Sequence, residues 1–391
     1  MKIITVVGAR PQFVKVAAIS RAIAMDPTLD LEDILVHTGQ HFDAGMSQVF
    51  FAELGIAAPK FNLGISGGSH GAMTARMLES IEIVLTREKP HWVLVYGDTN
   101  STLAGALAAS KLNIPIAHIE AGLRSFNRRM PEEINRIVTD HLSSLLFCPS
   151  NTSVANLGRE GLSDNVHLVG DVMYDMALHF GYQTKAQSAT LKRFDLVPKA
   201  YVLATCHRAE NTDSMHNLAE IISGLAGIAK LKSVIFPIHP RTKAKLREYG
   251  LQDKLGNIKI VEPLSYLEMA ALEKNAEVII TDSGGVQKEA FFFRVPCITL
   301  RNETEWTETV NDGWNCLVGS DQNQMIQAFI NRGKQKRQNT CPYGTGNAAK
   351  RILDILLKAP LGKSKLALKT ETARQSQAQP WPGRQTGVPS T

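Results

Sequence analysis

Residues 93–136 read VLVYGDTNSTLAGALAASKLNIPIAHIEAGLRSFNRRMPEEINR, and this stretch decides the fold. It contains two apolar runs, Val93–Tyr96 and Ile114–Ile119, that are typical of buried parallel strands because Val, Ile, Leu and Ala dominate them. Between the runs, Asn100–Lys111 is rich in Ala and Leu and has a Ser-Thr start, which predicts a crossover helix. The stretch therefore predicts an α/β fold with a parallel sheet.

Acidic residues stand where the predicted strands of this stretch end. Asp98 follows the first strand and Glu120 the second, and in an open parallel sheet ligands bind outside the carboxyl ends of the strands. Glu132 and Glu133 follow a proline at the start of another predicted helix. Simpler explanations are a helix cap for Asp98, and the helix dipole or a pair with Arg136 for the glutamates. Three acidic positions that converge on one edge, Asp98, Glu120 and the Glu132-Glu133 pair, nevertheless favour a functional site.

Composition and charge limit the classes of function. A length of 391 residues suggests two domains, and 44% hydrophobic and 20% charged residues are ordinary for a globular protein. Of the net charge of +6, residues 361–391 carry +4, and this polar, aperiodic tail is predicted to be disordered. The remaining +2 does not indicate a nucleic-acid partner.

The location of the protein follows from what the sequence lacks. It has no signal-peptide pattern and no apolar run long enough to span a bilayer, so we expect no membrane insertion. Five scattered cysteines without a CxxC pair favour a reducing compartment. A cytoplasmic location is the resulting prediction.

The N-terminus has the same strand–turn–helix order. Lys2–Val7 predicts a strand and Gln12–Ala24 a helix, and the turn between them resembles a phosphate-binding unit although it is not GxGxxG. Arg10 in the turn and Lys15 in the helix are cations suited to a diphosphate, with a surface cation as the simpler explanation for Arg10. Two further candidates at this edge follow the next predicted strand: Gln40 and His41.

The second half of the chain repeats the architecture but not the sequence. Its clearest signal is Thr281–Gly285, a small and Gly-rich turn between a strand and the predicted helix Val286–Phe293. The free N–H groups of that helix would hold a phosphate on Ser283, Gly284 and Gly285, and Glu289 would accept from ribose hydroxyls. The simpler explanation for the glycine pair is tight packing. Other substrate-binding candidates follow neighbouring strands: His207, Arg208, Glu210, Asn211, His239 and Arg301.

The predicted domains are residues 1–180 and residues 190–345, with the crossing in the polar segment 184–190. The last helical pattern, residues 347–358, is expected to pack back onto the first domain. Missing motifs narrow the chemistry further: there is no GxGxxG for NAD, no Walker lysine motif, no GxSxG elbow and no metal-ligand spacing. We expect neither a cofactor nor a metal.

Six segments together resemble one family: GARPQFVK, TGQHFD, the stretch from residue 95 to 136, ATCHRAEN, PIHPRT and TDSGGVQKEAFFF. They are similar to the non-hydrolysing UDP-N-acetylglucosamine 2-epimerases, over about residues 1 to 358. The resemblance implies a glycosyltransferase-B-like fold: two Rossmann-like domains with the active site in the cleft between them. It also implies a UDP-sugar substrate and a homodimer.

The resemblance implies a reaction without a redox cofactor. Members of the family eliminate UDP to form a 2-acetamidoglucal and then add UDP back with the C2 proton on the other face. Such chemistry requires a base, an acid and groups that stabilise the leaving diphosphate. Motif matching assigns catalytic positions to Asp98, Glu120, Glu132 and His207, and diphosphate binding to Arg10, Lys15, Arg136 and His207. Which acid removes the C2 proton stays open.

The substrate is predicted less sharply than the reaction. The primary prediction is conversion of UDP-GlcNAc to UDP-ManNAc for surface polysaccharide synthesis. The sequence Glu303-Thr304-Glu305-Trp306 is closer to that of a branch that includes UDP-2,3-diacetamido-2,3-dideoxyglucuronate 2-epimerases of O-antigen synthesis. This UDP-sugar is the alternative substrate. Two readings from other classes are a glycosyltransferase of the same fold and a non-catalytic UDP-sugar sensor. Cleft acids favour proton transfer over both.

Overall fold

Two parallel sheets form the framework of the protein, and a computed structural model describes residues 1–40, 51–181 and 184–360. The strands are β1 Lys2–Val7, β2 Glu32–His37, β3 Phe61–Asn62, β4 Trp92–Tyr96, β5 Ile116–Ile119, β6 Leu145–Cys148, β7 Val166–Leu168, β8 Tyr201–Thr205, β9 Ser233–Pro237, β10 Lys259–Val261, β11 Val278–Thr281, β12 Cys297–Thr299 and β13 Asn315–Leu317. The N-terminal sheet has the strand order β3-β2-β1-β4-β5-β6-β7 and the C-terminal sheet the order β10-β9-β8-β11-β12-β13, with parallel pairing throughout.

Helices connect these strands and cover both faces of each sheet. They are α1 Arg10–Ala24, α2 His70–Glu88, α3 Asn100–Lys111, α4 Pro131–Leu142, α5 Asn151–Arg159, α6 Val172–Gly181, α7 Thr184–Arg193, α8 Ala209–Thr212, α9 Met215–Ala229, α10 Pro240–Glu248, α11 Tyr266–Asn275, α12 Gly284–Phe292, α13 Thr307–Asn311, α14 Gln322–Asn331 and α15 Ala348–Lys358, with a 3₁₀ turn at Gln252–Leu255. Within the described ranges, none of them is long and apolar enough to cross a bilayer.

The predicted βαβ unit is present as β4-α3-β5. All five residues of β4 are buried, as a strand with helices on both faces requires. The Thr99 hydroxyl accepts a bond from the Thr102 N–H at 3.2 Å and so caps α3. Strand β5 begins at Ile116, two residues later than predicted, because Asn113 takes a left-handed φ of 56° and the Ile114 N–H bonds back to α3.

The sheet order places the cleft. In each sheet the chain reverses its direction of winding beside the first strand, between β1 and β4 and between β8 and β11. The loops after such a pair of strands leave in opposite directions and open a crevice that binds ligands in doubly wound folds. The predicted α/β class with two Rossmann-like domains is confirmed by this topology.

The last helix returns to the N-terminal domain. Residues Ala348, Ile352 and Leu356 of α15 belong to the same buried cluster as Phe13 and Ile19 of α1. The segment proposed to join the domains forms helix α7. This helix packs on α11, which belongs to the C-terminal half of the chain. We keep residues 1–180 and 190–345 as the proposed domain boundaries. The predicted disordered tail, residues 361–391, lies outside the described residues.

Replacing Gly122 with alanine is expected to destabilise the fold strongly. Gly122 follows the end of β5 with a φ of 79°, and a Cβ there would lie 2.4 Å from the Ser153 carbonyl oxygen. Backbone strain and this clash should together lower the free energy of unfolding by about 2–4 kcal/mol in urea denaturation. Gly158→Ala is the matched control, because no atom lies within 4 Å of its new Cβ and alanine favours its helix. Equal losses in both variants would contradict this interpretation.

Candidate active site

A cavity of about 220 Å³ lies between the two domains, at the carboxyl edges of both sheets. Ten residues predicted from the sequence line it: Lys15, Gln40, Asp98, Glu120, Glu132, His207, Arg208, Ser283, Gly284 and Gly285. Its other lining residues include His70, Asn135, Met173, Lys288, Glu305 and Trp306. A larger groove of about 480 Å³ between α1 and α15 is mainly apolar and contains none of the predicted site residues.

Asp98 is presented to the cavity by the turn after β4. Its Oδ2 accepts from the Arg136 guanidinium at 2.6 Å, and the Asn135 amide donates to its backbone carbonyl at 2.9 Å. Burial raises the pKa of the Asp98 carboxyl, while Arg136 and Lys15 oppose that rise and the neighbouring Glu120 adds to it. Asp98 therefore takes up a proton more readily than an ordinary aspartate.

Glu120 differs from Asp98 in both geometry and charge. It directly follows β5 with a φ of 75°, a left-handed conformation that a non-glycine residue rarely adopts and that recurs at functional sites. Its Oε2 pairs with Lys15, and its Oε1 lies 2.6 Å from Lys288 of α12. Burial alone would raise the pKa of Glu120, but the two lysines outweigh it and lower the pKa to about 2. Glu120 is therefore anionic in this arrangement.

The two glutamates at the start of α4 have different environments. Glu133 is 1% exposed, and its carboxylate accepts from the N–H groups of Ser125 and Phe126 at 2.9 Å and from Arg136 at 2.7 Å. These bonds satisfy the Glu133 carboxylate inside the protein, between α4 and the loop that precedes it. Glu132 instead lines the cavity, so it remains the candidate for contact with a ligand.

His207 is held by Asp282 across the C-terminal switch point. The Asp282 carboxylate lies 3.2 Å from His207 Nδ1 and accepts from the N–H groups of His207 and Arg208 at 2.9 Å each. Burial would raise the pKa of Asp282, but the hydrogen bond from His207 and these N–H groups hold it well below its usual range. Since Nδ1 faces Asp282, Nε2 is the atom available to a ligand. The Asn211 amide donates to Asp282 at 3.1 Å and to the Leu300 carbonyl at 3.0 Å, so it holds the Asp282 carboxylate in place.

The N-terminus of α12 faces the cavity with Ser283, Gly284 and Gly285. Glu305 also lies there, since a Cβ on Gly284 would be 2.6 Å from its carboxylate. Its Oε2 is 3.0 Å from Arg301. Burial alone would raise the pKa of Glu305, but Arg301, Arg136 and Arg208 outweigh it and lower the pKa to about 2. A buried carboxylate thus stands beside the helix N-terminus and among arginines, which is an environment that also suits a diphosphate.

Several predicted residues do not line the cavity. Arg136 reaches it only through Asp98, and Arg301 through Glu305. The rest of this group is Arg10, Glu210, Asn211, His239 and Glu289. His41 lies outside the described residues.

Glu289 lies against a second buried acid. It is 5% exposed and Glu273 of α11 is 1% exposed. Burial raises the pKa of Glu289 to about 7, and burial together with the Glu289 carboxylate raises that of Glu273 well above its ordinary value. The folded pair therefore binds protons more tightly than the unfolded chain, so stability should fall as the pH rises above about 4.5, through the Glu289 pKa of about 7, and should keep falling until Glu273 has also lost its proton.

Replacing Glu273 with glutamine is expected to stabilise the protein at alkaline pH. The variant cannot ionise at this position, so its melting temperature should exceed that of the parent by about 2–4 °C at pH 8 and differ little at pH 5. Thermal unfolding at the two pH values measures this difference. Glu79→Gln, at an exposed position, is the control and should change neither value. An effect of Glu273→Gln that does not depend on pH would contradict the proposed proton sharing.

Sequence reasoning missed a buried network that fixes the two acidic turns. His118 Nδ1 lies 2.7 Å from Asp140, and its Nε2 lies 2.8 Å from the carbonyl oxygen of Gly97. Asp140 also accepts from the Gly122 N–H at 3.1 Å and from Arg124 at 2.7 Å. The residue before Asp98 and the turn after Glu120 are thereby tied together. The sequence signal that could have indicated His118 is the two-residue period of a strand. His118 stands two residues before Glu120, and side chains with this spacing point to the same face of a strand.

The fold and the cleft define the class first: a two-domain α/β protein of the glycosyltransferase-B-like type, with acids and cations in the cleft. The chain belongs to the UDP-N-acetylglucosamine 2-epimerase family, whose model matches residues 22–357. Membership in this family makes the protein an isomerase of UDP-sugars. The family predicted from the sequence motifs is confirmed.

Three comparisons describe the relatives. A UDP-N-acetylglucosamine 2-epimerase homolog of Methanococcus maripaludis is 51% identical, over 91% of this chain and 99% of the relative. The UDP-2,3-diacetamido-2,3-dideoxy-D-glucuronate 2-epimerase of Pseudomonas aeruginosa is also 51% identical, over 92% of this chain and 100% of the relative. The crystal structure of Methanocaldococcus jannaschii UDP-GlcNAc 2-epimerase in complex with UDP-GlcNAc and UDP is 45% identical, with a TM-score of 0.85, covering 92% of this chain and 100% of that one.

Proposed function

We propose that this protein interconverts UDP-GlcNAc and UDP-ManNAc for surface polysaccharide synthesis. The observation that carries the proposal is the cleft itself, where two carboxyls with opposite shifts of pKa, Asp98 and Glu120, stand beside cations and a helix N-terminus. A pair of acids with separated pKa values is what a proton removal and a proton return require. The relatives' activities support the same reaction.

The reaction proceeds by elimination and re-addition. A base takes the C2 proton, the C–H electrons form the C1=C2 double bond of a 2-acetamidoglucal, and UDP leaves with the electrons of the C1–O bond. A β-phosphate oxygen of UDP then attacks C1 while an acid delivers a proton to the opposite face of C2. Atoms and charge balance without an oxidant. One carboxyl must therefore be anionic and another protonated at the start of each direction.

The charges in the cleft suit these two roles. Glu120 is the anionic carboxylate, because Lys15 and Lys288 favour its ionised form. Asp98, with its raised pKa, is the acid that exchanges a proton on the other face. In the reverse direction the two exchange roles. Glu132 lines the same cavity and is the third candidate for proton exchange.

Diphosphate binding falls to the cationic groups that line the cavity and to the N-terminus of α12. Lys15, His207 and Arg208 line the cavity together with Ser283 and the glycines after it. A diphosphate in this place would accept hydrogen bonds from these groups, and those bonds would stabilise UDP as the leaving group. The Glu305 carboxylate also lies beside Gly284, at the N-terminus of α12. Substrate binding therefore requires Glu305 either to move away or to share this site with the diphosphate.

The second candidate substrate is UDP-2,3-diacetamido-2,3-dideoxyglucuronate. The observation that favours it is the Pseudomonas aeruginosa relative, which matches this chain at 51% identity over its whole length. The chemistry at C1 and C2 is the same for both sugars, so the proposed acids and diphosphate ligands keep their roles.

The test is proton NMR of the purified protein with each UDP-sugar in D2O. With UDP-GlcNAc we expect the manno epimer with deuterium at C2. Turnover of the diacetamido uronate alone would replace the substrate but keep the reaction. Slow release of UDP without an epimer would overturn the proposal and indicate a transferase or hydrolase, and no change with either sugar would overturn it too.

We further propose a homodimer in the cytoplasm. The free cysteines among the described residues, three of them buried, support a reducing compartment. Light scattering after size-exclusion chromatography tests the dimer: a mass near the monomer's 42.8 kDa would contradict it.

A further inference from the structure

Lys288 is a buried lysine that joins the two domains. It lies on α12 of the C-terminal domain with 1% of its side chain exposed. Its Nζ is 2.6 Å from Glu120 Oε1 and 2.7 Å from Asp171 Oδ2, both of the N-terminal domain, and 4.1 Å from the centre of the Trp306 ring. Burying a charge is costly, and a buried ion cluster is often no more stable than apolar packing. This arrangement therefore calls for a functional explanation.

The two lysines on Glu120 differ in where they come from. Lys15 belongs to the same domain as Glu120 and pairs with Oε2, whereas Lys288 belongs to the opposite domain and pairs with Oε1. The contact with Lys288 exists only while the domains are together. Lys15 also lines the cavity and is one of the cations proposed to bind the diphosphate, so substrate can draw it away from Glu120. Lys288, already held by Asp171, stays with the carboxylate.

We propose that Lys288 is a positioning residue that holds Glu120 by Oε1 as an anion in the closed cleft, leaving Oε2 to receive the C2 proton once Lys15 turns to the diphosphate. The inference rests on the proposed epimerase function and deepens it. Domain closure and the charge of Glu120 are thereby coupled: an open cleft removes one cation from the carboxylate, and its proton affinity rises.

The charged groups that face this cluster limit the expected pH effect. Those facing Glu120 and Lys288 from the packed elements are Lys15, Asp98, Asp171 and Glu289. Asp98, Asp171 and Glu289 are acids whose negative charge favours protonation of a neighbouring carboxylate, and of the groups named above the lysines oppose it. Loss of the Lys288 charge should therefore raise the pKa of Glu120.

The test compares Lys288→Gln with Lys288→Arg. In K288Q we expect kcat/KM to fall by about 10- to 100-fold and its acidic limb to move about one pH unit upward, while UDP affinity changes less than about threefold. K288R keeps the charge and should return the limb toward the parent value. Asp171→Asn, which leaves Lys288 with Glu120, should not move the limb upward. Lys230→Gln, an exposed lysine of the same domain, is the control.

A readout without substrate separates this inference from the proposed function. In protein labelled with ¹³C at glutamate carboxyls, with the Glu120 signal assigned from Glu120→Gln, the titration midpoint of Glu120 should be higher in K288Q than in the parent. An unmoved midpoint and an unmoved acidic limb would overturn the role of Lys288, even if the enzyme epimerises UDP-GlcNAc. A moved midpoint in a protein that epimerises no UDP-sugar would keep the charge coupling and overturn the epimerase proposal. If K288Q does not fold, K288R decides the question. An acidic limb of kcat/KM that moves as far upward in K288R as loss of the charge predicts would contradict the proposal.

Discussion

Replacing Asp98 with asparagine is expected to reduce turnover by about 10³-fold, because the amide can neither give nor take the proton at C2. UDP should bind within about threefold of the parent affinity, since the amide oxygen can still accept from Arg136 and the diphosphate ligands are unchanged. Steady-state NMR assays give the turnover and calorimetry gives the UDP affinity. Exposed Asp253→Asn is the matched control and should match the parent in both.

The Asp98 variant also has a clear contrary outcome. Near-parental turnover in Asp98→Asn would remove this residue from the reaction and leave Glu132 as the remaining candidate acid in the cavity. A loss of UDP binding equal to the loss of turnover would instead assign Asp98 to binding. Either result would overturn the proposed pairing of Asp98 with Glu120.

Replacing Glu120 with glutamine is expected to affect both activity and stability. Turnover and deuterium incorporation at C2 should fall by about 10³-fold, since the anionic base is gone. The buried charges of Lys15 and Lys288 lose their shared counter-ion, so the free energy of unfolding should fall by about 3 kcal/mol. Urea denaturation and C2 exchange in D2O measure the two effects.

The two effects in Glu120→Gln have different meanings if they separate. A stable variant with full exchange would contradict both the ion cluster and the base. An unstable variant that still exchanges the C2 proton at the parental rate would leave Glu120 a structural residue. Exposed Glu79→Gln controls for loss of a carboxylate as such.

Much of the framework was predictable because it is locally encoded. Strand β4 is a buried apolar run that ends at a glycine, and α12 starts at a Ser-Gly-Gly turn, so each boundary falls within two residues of its prediction. Strand β3 was missed because it spans only Phe61 and Asn62, which is too short for a periodic pattern. The start of β5 was misplaced because the turn at Asn113 is a left-handed conformation that sequence signals only weakly.

The site was predictable in part for the same reason. Asp98, Glu120 and Ser283 follow strands, and topology alone brings strand ends of one sheet to one edge. Lys288 could not be found this way, because its contact with Glu120 joins residues 168 positions apart in two domains. Glu133 and Glu132 are adjacent in sequence, and only the fold shows which one is enclosed by the N–H groups of Ser125 and Phe126. Charge pairing across a cleft is tertiary information.

Positional isotope exchange tests the central claim most directly. UDP-GlcNAc is prepared with ¹⁸O in the bridge between C1 and the β-phosphorus, and the substrate recovered before equilibrium is examined by ³¹P NMR. If UDP leaves and returns, the β-phosphate turns while free, and the account predicts that label appears in its non-bridging positions. Epimer formed with the label still confined to the bridge, and with neither UDP nor 2-acetamidoglucal detected when the reaction is quenched, would mean that the C1–O bond does not break, and would contradict the elimination mechanism.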